Sequence, residues 1–135
     1  MRDESAERAH VADALRNQLA SRAEILFAYL HGSFVGGGSY RDIDVAVWLD
    51  PSRVPSAARL SYALELAVHL QTALKQTVDV QVLNEAALAF RYHALDGVPL
   101  VVRDGELRDE VMARTWDEYI DFQPFARQYL REVLR

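Results

Sequence analysis

Three aspartates stand where a chain that otherwise reads as β-strand should carry none. Asp44 lies inside the run Ile43-Asp44-Val45-Ala46-Val47-Trp48-Leu49, Asp42 comes just before it, and Asp79 lies inside Val78-Asp79-Val80-Gln81-Val82. A carboxylate within an apolar strand is costly unless something takes up its charge. A fold that keeps all three must therefore bring their strands together around a shared partner. A third apolar run, Ile25 to His31, ends in the step Gly32-Ser33, and Asp42 follows Ser33 after a spacer of eight residues that contains Gly36-Gly37-Gly38.

Periodicity supplies the rest of the framework. Ala9, Val11, Ala12, Leu15 and Leu19 recur at helical spacing, so residues 1–20 predict an N-terminal helix. Ile25 to His31 is continuous and apolar, which fits a buried strand. Ile43, Val45, Val47 and Leu49 alternate with Asp42, Asp44, Ala46 and Trp48, placing the two aspartates on one strand face. Ala57 to Gln76 predicts a helix with an apolar stripe of Leu60, Ala63, Leu64, Ala67, Leu70 and Leu74. Thr77 to Leu83 is a strand with Val78, Val80 and Val82 opposite Asp79 and Gln81. Asn84 to Leu95 predicts a helix capped by Asn84, and Pro99 to Arg103 a short strand. Residues 106–135 form a C-terminal helical segment, with a break expected at Pro124. The order predicts an α/β (α+β) fold: a small mixed β-sheet flanked by helices, mainly on one face, with the helix between the second and third strands as a crossover.

At 135 residues the chain is expected to be a single domain spanning 1–135. It has no cysteine, which excludes disulfides, zinc–thiolate sites and cysteine nucleophiles. A formal charge of -5 argues against non-specific DNA binding. The polar start and the absence of a long apolar stretch argue against a signal peptide or a membrane span, so the expected location is cytoplasmic.

The chemistry these residues suit is the handling of a nucleoside triphosphate. Gly32 permits close backbone approach, Ser33 offers a hydroxyl to a phosphate oxygen, and a helical turn after it would present free N–H groups to an anion. Magnesium prefers oxygen ligands, and a pair of metals can stabilise both the attacking and the leaving oxygen of a phosphoryl transfer. Asp42 and Asp44 aim at one spot, and Asp79 can complete the set or act as base toward an incoming hydroxyl.

Gly-Ser at a strand end, Asp-x-Asp at the next strand and a later strand Asp together resemble the nucleotidyltransferase superfamily of the DNA polymerase beta type. The small size is similar to the minimal nucleotidyltransferases. Val78-Asp79-Val80-Gln81-Val82-Leu83-Asn84-Glu85-Ala86, Phe90-Arg91-Tyr92, Gly97-Val98-Pro99-Leu100, Arg103-Asp104 and Tyr119-Ile120-Asp121-Phe122-Gln123-Pro124-Phe125 resemble the MntA branch, antitoxins paired with a HEPN-domain toxin. The resemblance implies a type VII-like antitoxin that uses ATP and Mg²⁺, two ions as a rule, to attach AMP to a tyrosine of a HEPN RNase toxin, within a hetero-oligomer. Carried over by position, it implies that Gly32, Ser33 and Arg41 bind nucleotide and that Asp42, Asp44 and Asp79 are catalytic and bind metal. Two alternatives stand beside it: a non-catalytic antitoxin acting by steric binding, and a small-molecule adenylyltransferase, for aminoglycosides for example. Enzymes of the latter kind usually use a second helical domain, for which 135 residues leave no room.

The chain departs from the pattern in its loop. Many relatives carry an arginine after Gly-Ser and a serine before the first aspartate, whereas here Val35 and three glycines fill the loop and Arg41 precedes Asp42. Arg41 either replaces the loop cation or forms a surface ion pair. Other residues also have two readings. His31 is a phosphate contact or a strand-end residue, and Trp48 a pocket wall or a packing residue. Arg91 and Tyr92 contact nucleotide or partner, or pack at the core edge. Trp116, Tyr119, Phe122, Phe125 and Tyr129 close the core, dock a partner, or do both.

Overall fold

The computed structural model describes residues 4–36 and 42–133. Helix α1 (Glu4–Ala20) leads into strand β1 (Ile25–His31), and β2 (Ile43–Leu49) follows. A single 3₁₀ turn (Ser56–Ala58) runs into α2 (Arg59–Leu74). Then come β3 (Val78–Val82), α3 (Leu88–Leu95), β4 (Val98–Val102) and α4 (Gly105–Val133). The sheet order is β3-β2-β1-β4. β1 lies antiparallel to both β2 and β4, while β2 and β3 are parallel. The expected crossover is α2, which carries the chain from β2 to β3.

Helices cover both faces of the sheet, a correction to the expectation of one. Val11, Leu15 and Leu19 of α1 and Ala63, Leu66 and Leu70 of α2 pack with Ala28, Leu30, Val45, Val47 and Val80 on one face. Phe27, Tyr29 and Ala46 face the other way, against Ala94 and Leu95 of α3 and Val111 of α4. The physical reason was present in β1, whose unbroken apolar run suits a strand buried on both sides.

The α2 stripe is rotated from its expected setting. Its buried residues are Ala63, Leu66 and Leu70, whereas Leu60 and Leu64 are 73% and 62% exposed. Leucines populate most of the helix circumference, so spacing alone does not fix which arc meets the sheet. Leu66→Ala should therefore cost about 2–5 kcal/mol of stability, and Leu60→Ala no more than about 0.5 kcal/mol, as read from equilibrium denaturation of the two variants.

Two boundaries also moved. Asn84 does not cap a helix. Its side chain accepts from the Leu49 N–H at 2.9 Å and donates to the Leu49 carbonyl at 2.8 Å, stapling the end of β2. That pairing leaves α3 to begin at Leu88. Helix α4 runs through Pro124 without a break. A proline there forfeits one helical hydrogen bond, in a stretch that is nearly all exposed, where water can take the freed carbonyl. At its start, the Asp104 carboxylate accepts from the Leu107 N–H at 3.1 Å, an N-cap. Arg103 donates to the carbonyls of Ala20 at 2.8 Å and Ile25 at 3.2 Å, tying the end of α1 to the start of β1.

On the α1/α2 side, the Tyr62 hydroxyl donates to Glu24 at 2.6 Å. Burial and this hydrogen bond push its pKa up to about 12. In the unfolded chain it ionises near 10, roughly the free tyrosine value. Its stabilising contribution is thus complete below pH of about 10 and is lost as pH rises toward the folded value. Tyr62→Phe should flatten the alkaline loss of stability relative to wild type, as followed by denaturation midpoints across that range.

Candidate active site

The site begins where β1 ends. Gly32 has φ of +82°, a left-handed conformation that favours glycine. A Cβ there would run into the Asp44 carboxylate, so two independent constraints require glycine. The chain then makes one helix-like turn, with the N–H groups of Val35 and Gly36 both donating to the Gly32 carbonyl at 3.1 and 3.3 Å. Phe34, 3% exposed, anchors this turn in the core. Ser33 is left exposed beside it. Gly37, Gly38 and Arg41 lie outside the described residues.

Strand register does the gathering. His31 pairs with Asp44 across β1 and β2, and Asp44 pairs with Asp79 across β2 and β3. Three ionisable residues thus stand abreast in one row of the sheet, at the end where the Gly32 turn leaves it. Asp44 is half-buried, Asp79 is exposed, and Asp42 is exposed one residue before β2 begins. Burial raises the pKa of Asp44. The nearby His31 opposes that rise, while the negative charges of Asp79 and Asp42 add to it. Burial lowers the pKa of His31, against the pull of the negative charges of Asp44 and Asp79. His31 is 9% exposed and meets Phe90 edge to face, with ring centroids 5.3 Å apart. That favours the strand-end reading over contact with phosphate.

Gln81 was placed beside Asp79 by alternation, but sequence reasoning gave it no role. Its amide donates to the Asp79 carboxylate at 2.6 Å. Its own carbonyl oxygen and His31 Nε2 are both buried without a hydrogen-bond partner. The signal was its position two residues after Asp79 on the same strand face.

The donor set suits a hard divalent cation in its chemistry, since carboxylate oxygens are what magnesium takes. The repulsion from Asp79 and Asp42, which adds to the effect of burial on Asp44, is the kind a cation relieves. Among the described residues, no three acidic or histidine side chains stand at ligand spacing, and Asp79 is held toward Gln81. The other residues resolve toward packing. Trp48 stacks on Phe27, with centroids 5.6 Å apart and planes 18° from parallel. Arg91 joins Thr115 at 2.7 Å and Glu118 at 2.8 Å, and Tyr92 stacks on Tyr119 at 3.8 Å, so both fasten α3 to α4. His69 meets Gln18 at 3.0 Å on a helix surface.

A mixed sheet that sets a Gly-Ser turn against paired strand aspartates defines a nucleotide-handling fold, and the family comparison agrees. The profile of the family described as polymerase beta, nucleotidyltransferase, matches residues 13–106, and the chain belongs to that family. Among solved structures it is similar to a chain of a toxin–antitoxin complex with AMP-PNP, with 22% identity over 92% of this chain and 98% of that one, at a TM-score of 0.71. It is also similar to a chain of the MntA–HepT toxin–antitoxin, with 19% identity over 94% and 99%, at 0.69. A third is a chain of a complex between the tri-AMPylated Shewanella oneidensis HEPN toxin and an MNT antitoxin, with 21% identity over 98% and 100%, at 0.65. Identities at this level speak for a shared fold. The search of curated proteins finds no match. No helix among the described residues is long and apolar enough to cross a membrane.

Proposed function

We propose that this chain is an antitoxin that transfers AMP from ATP to a tyrosine hydroxyl of a cognate HEPN toxin. The observation that carries this reading is the row joining Asp44 to Asp79 beside the Gly32 turn. The tyrosine oxygen attacks the α-phosphorus of ATP, the bond from that phosphorus to the bridging oxygen breaks, and pyrophosphate leaves. The hydroxyl proton passes to Asp79 or to solvent. The Gly32-Ser33 turn receives the triphosphate, and Asp42, Asp44 and Asp79 are the carboxylates that would hold divalent cations. Those cations, when bound, neutralise charge that builds on the phosphate oxygens. Arg41, the cation of the sequence between Ser33 and Asp42, accompanies them in this reading.

The similarity to chains from toxin–antitoxin complexes supports the partner class. So does α4, whose outer half exposes Phe122, Phe125, Tyr129, Leu130 and Val133. An apolar stripe of that extent, standing clear of the core, suits docking on a partner protein. Growth rescue in cells that express the toxin tests the proposal. Wild type should rescue, and the Asp42→Asn/Asp44→Asn variant at equal protein level should not. Rescue by the variant would show that binding alone neutralises.

A further inference from the structure

A groove of about 590 Å³ lies along the open side of β3, between α2 and the start of α3. Its lining includes Leu60 and Ala63 from α2, Val80 and Val82 from β3, and Ala87 and Phe90 from the α3 side. β3 is an edge strand, paired only with β2. In a parallel ladder, alternate residues bond to opposite sides. Thr77 and Leu83 turn toward β2, since the Ile43 N–H reaches the Thr77 carbonyl and the Leu83 N–H reaches the Val47 carbonyl. Val78, Val80 and Val82 therefore direct their backbone groups outward. The Val78 N–H agrees, accepted at 3.3 Å by the Gln71 side chain. Among the described residues, nothing takes the N–H groups of Val80 and Val82 on that side.

The groove therefore has the parts of a site for one more strand: backbone donors and acceptors along its floor, and an apolar wall on each face of the sheet. Leu60, 73% exposed, is the α2 wall, and Phe90 with Ala87 the wall on the α3 face. Gln81 joins the groove to the aspartate row, since it lines the groove and holds the Asp79 carboxylate. We infer that the groove binds an extended segment of the acceptor protein as a fifth strand beside β3. Side chains of an added strand alternate between the two faces. The residue aligned beside Asp79 on the α3 face presents the hydroxyl, and its sequence neighbours turn toward Leu60 and Ala63. An apolar side chain next to the acceptor hydroxyl is the recognition element. This deepens, and rests on, the proposed transfer to a protein.

Three variants test it, each assayed for AMP transfer to the cognate toxin and for calorimetric binding of AMP-PNP with Mg²⁺. Leu60→Glu puts a charge in the groove at an exposed position. Val82→Pro removes one outward donor and leaves the β2 ladder intact, as edge strands allow. Leu64→Glu, one turn along α2 and outside the groove, is the control. The groove variants should raise the toxin concentration for half-maximal transfer by about tenfold, with nucleotide binding unchanged and Leu64→Glu like wild type. If Val82→Pro does not fold, Leu60→Glu decides alone. Wild-type transfer by the groove variants, or equal loss in Leu64→Glu, overturns the groove while leaving the proposed function intact. A wild-type protein that binds AMP-PNP and modifies nothing overturns both.

Discussion

Asp44→Asn should lower AMP transfer by about a thousandfold while leaving the protein, in the absence of divalent cations, at least as stable as wild type. Asp44 is the carboxylate at the centre of the row, with His31 on one side and Asp79 on the other. Its pKa is raised, first by burial and then by the charges of Asp79 and Asp42. A carboxyl with a raised folded pKa stabilises the fold below its unfolded pKa, and that contribution is lost as pH rises through the folded value. At neutral pH wild type therefore holds a disfavoured charge, which asparagine removes at nearly constant shape. Thermal melts in a chelator, run beside transfer assays, check both halves. A variant that loses activity by unfolding would melt lower and contradict this account of Asp44.

The second large effect is expected at Gly32. Gly32→Ala places a side chain at φ of +82°, which costs about 1–2 kcal/mol, and drives its Cβ into the Asp44 carboxylate. Either the turn or the carboxylate must shift, and both belong to the site. Transfer should fall by about a hundredfold or more, with a lower denaturation midpoint. Gly36→Ala is the matched comparison. Among the described residues its Cβ would meet the Ser33 carbonyl, at 3.6 Å, and the Gly32 carbonyl, at 4.0 Å, ordinary contacts. It should keep stability and activity near wild type. Equal losses in the two variants would mean that loop flexibility, rather than the Gly32–Asp44 approach, sets the site.

Much of this arrangement was legible in the residues because strands announce themselves by alternation. Asp44 and Asp79 within their strands and the crossover through α2 follow from a period of two, read against one helical stripe, whereas the row that joins the two aspartates is set by the β2–β3 register. What escaped depends on tertiary choice. Leucines lie around most of α2, so which arc is buried was settled by the sheet, and Leu60 and Leu64 were placed inside when they are outside. The two-sided burial of β1 was written in its unbroken apolar run, yet nothing local says that α3 and α4 supply the second cover. Asn84 has the chemistry of a cap and uses it on β2 instead, a contact 35 residues away in the chain. Gln81 carries no motif at all. Only the folded strand shows that its amide holds the Asp79 carboxylate.

The most direct test of the central claim is the intact mass of the cognate HEPN toxin after incubation with this protein, ATP and Mg²⁺, with Asp42→Asn/Asp44→Asn alongside. The account requires added mass in whole AMP units with wild type and none with the variant. An unchanged toxin mass, in a complex that still forms, would contradict it and leave a binding antitoxin built on a nucleotidyltransferase fold.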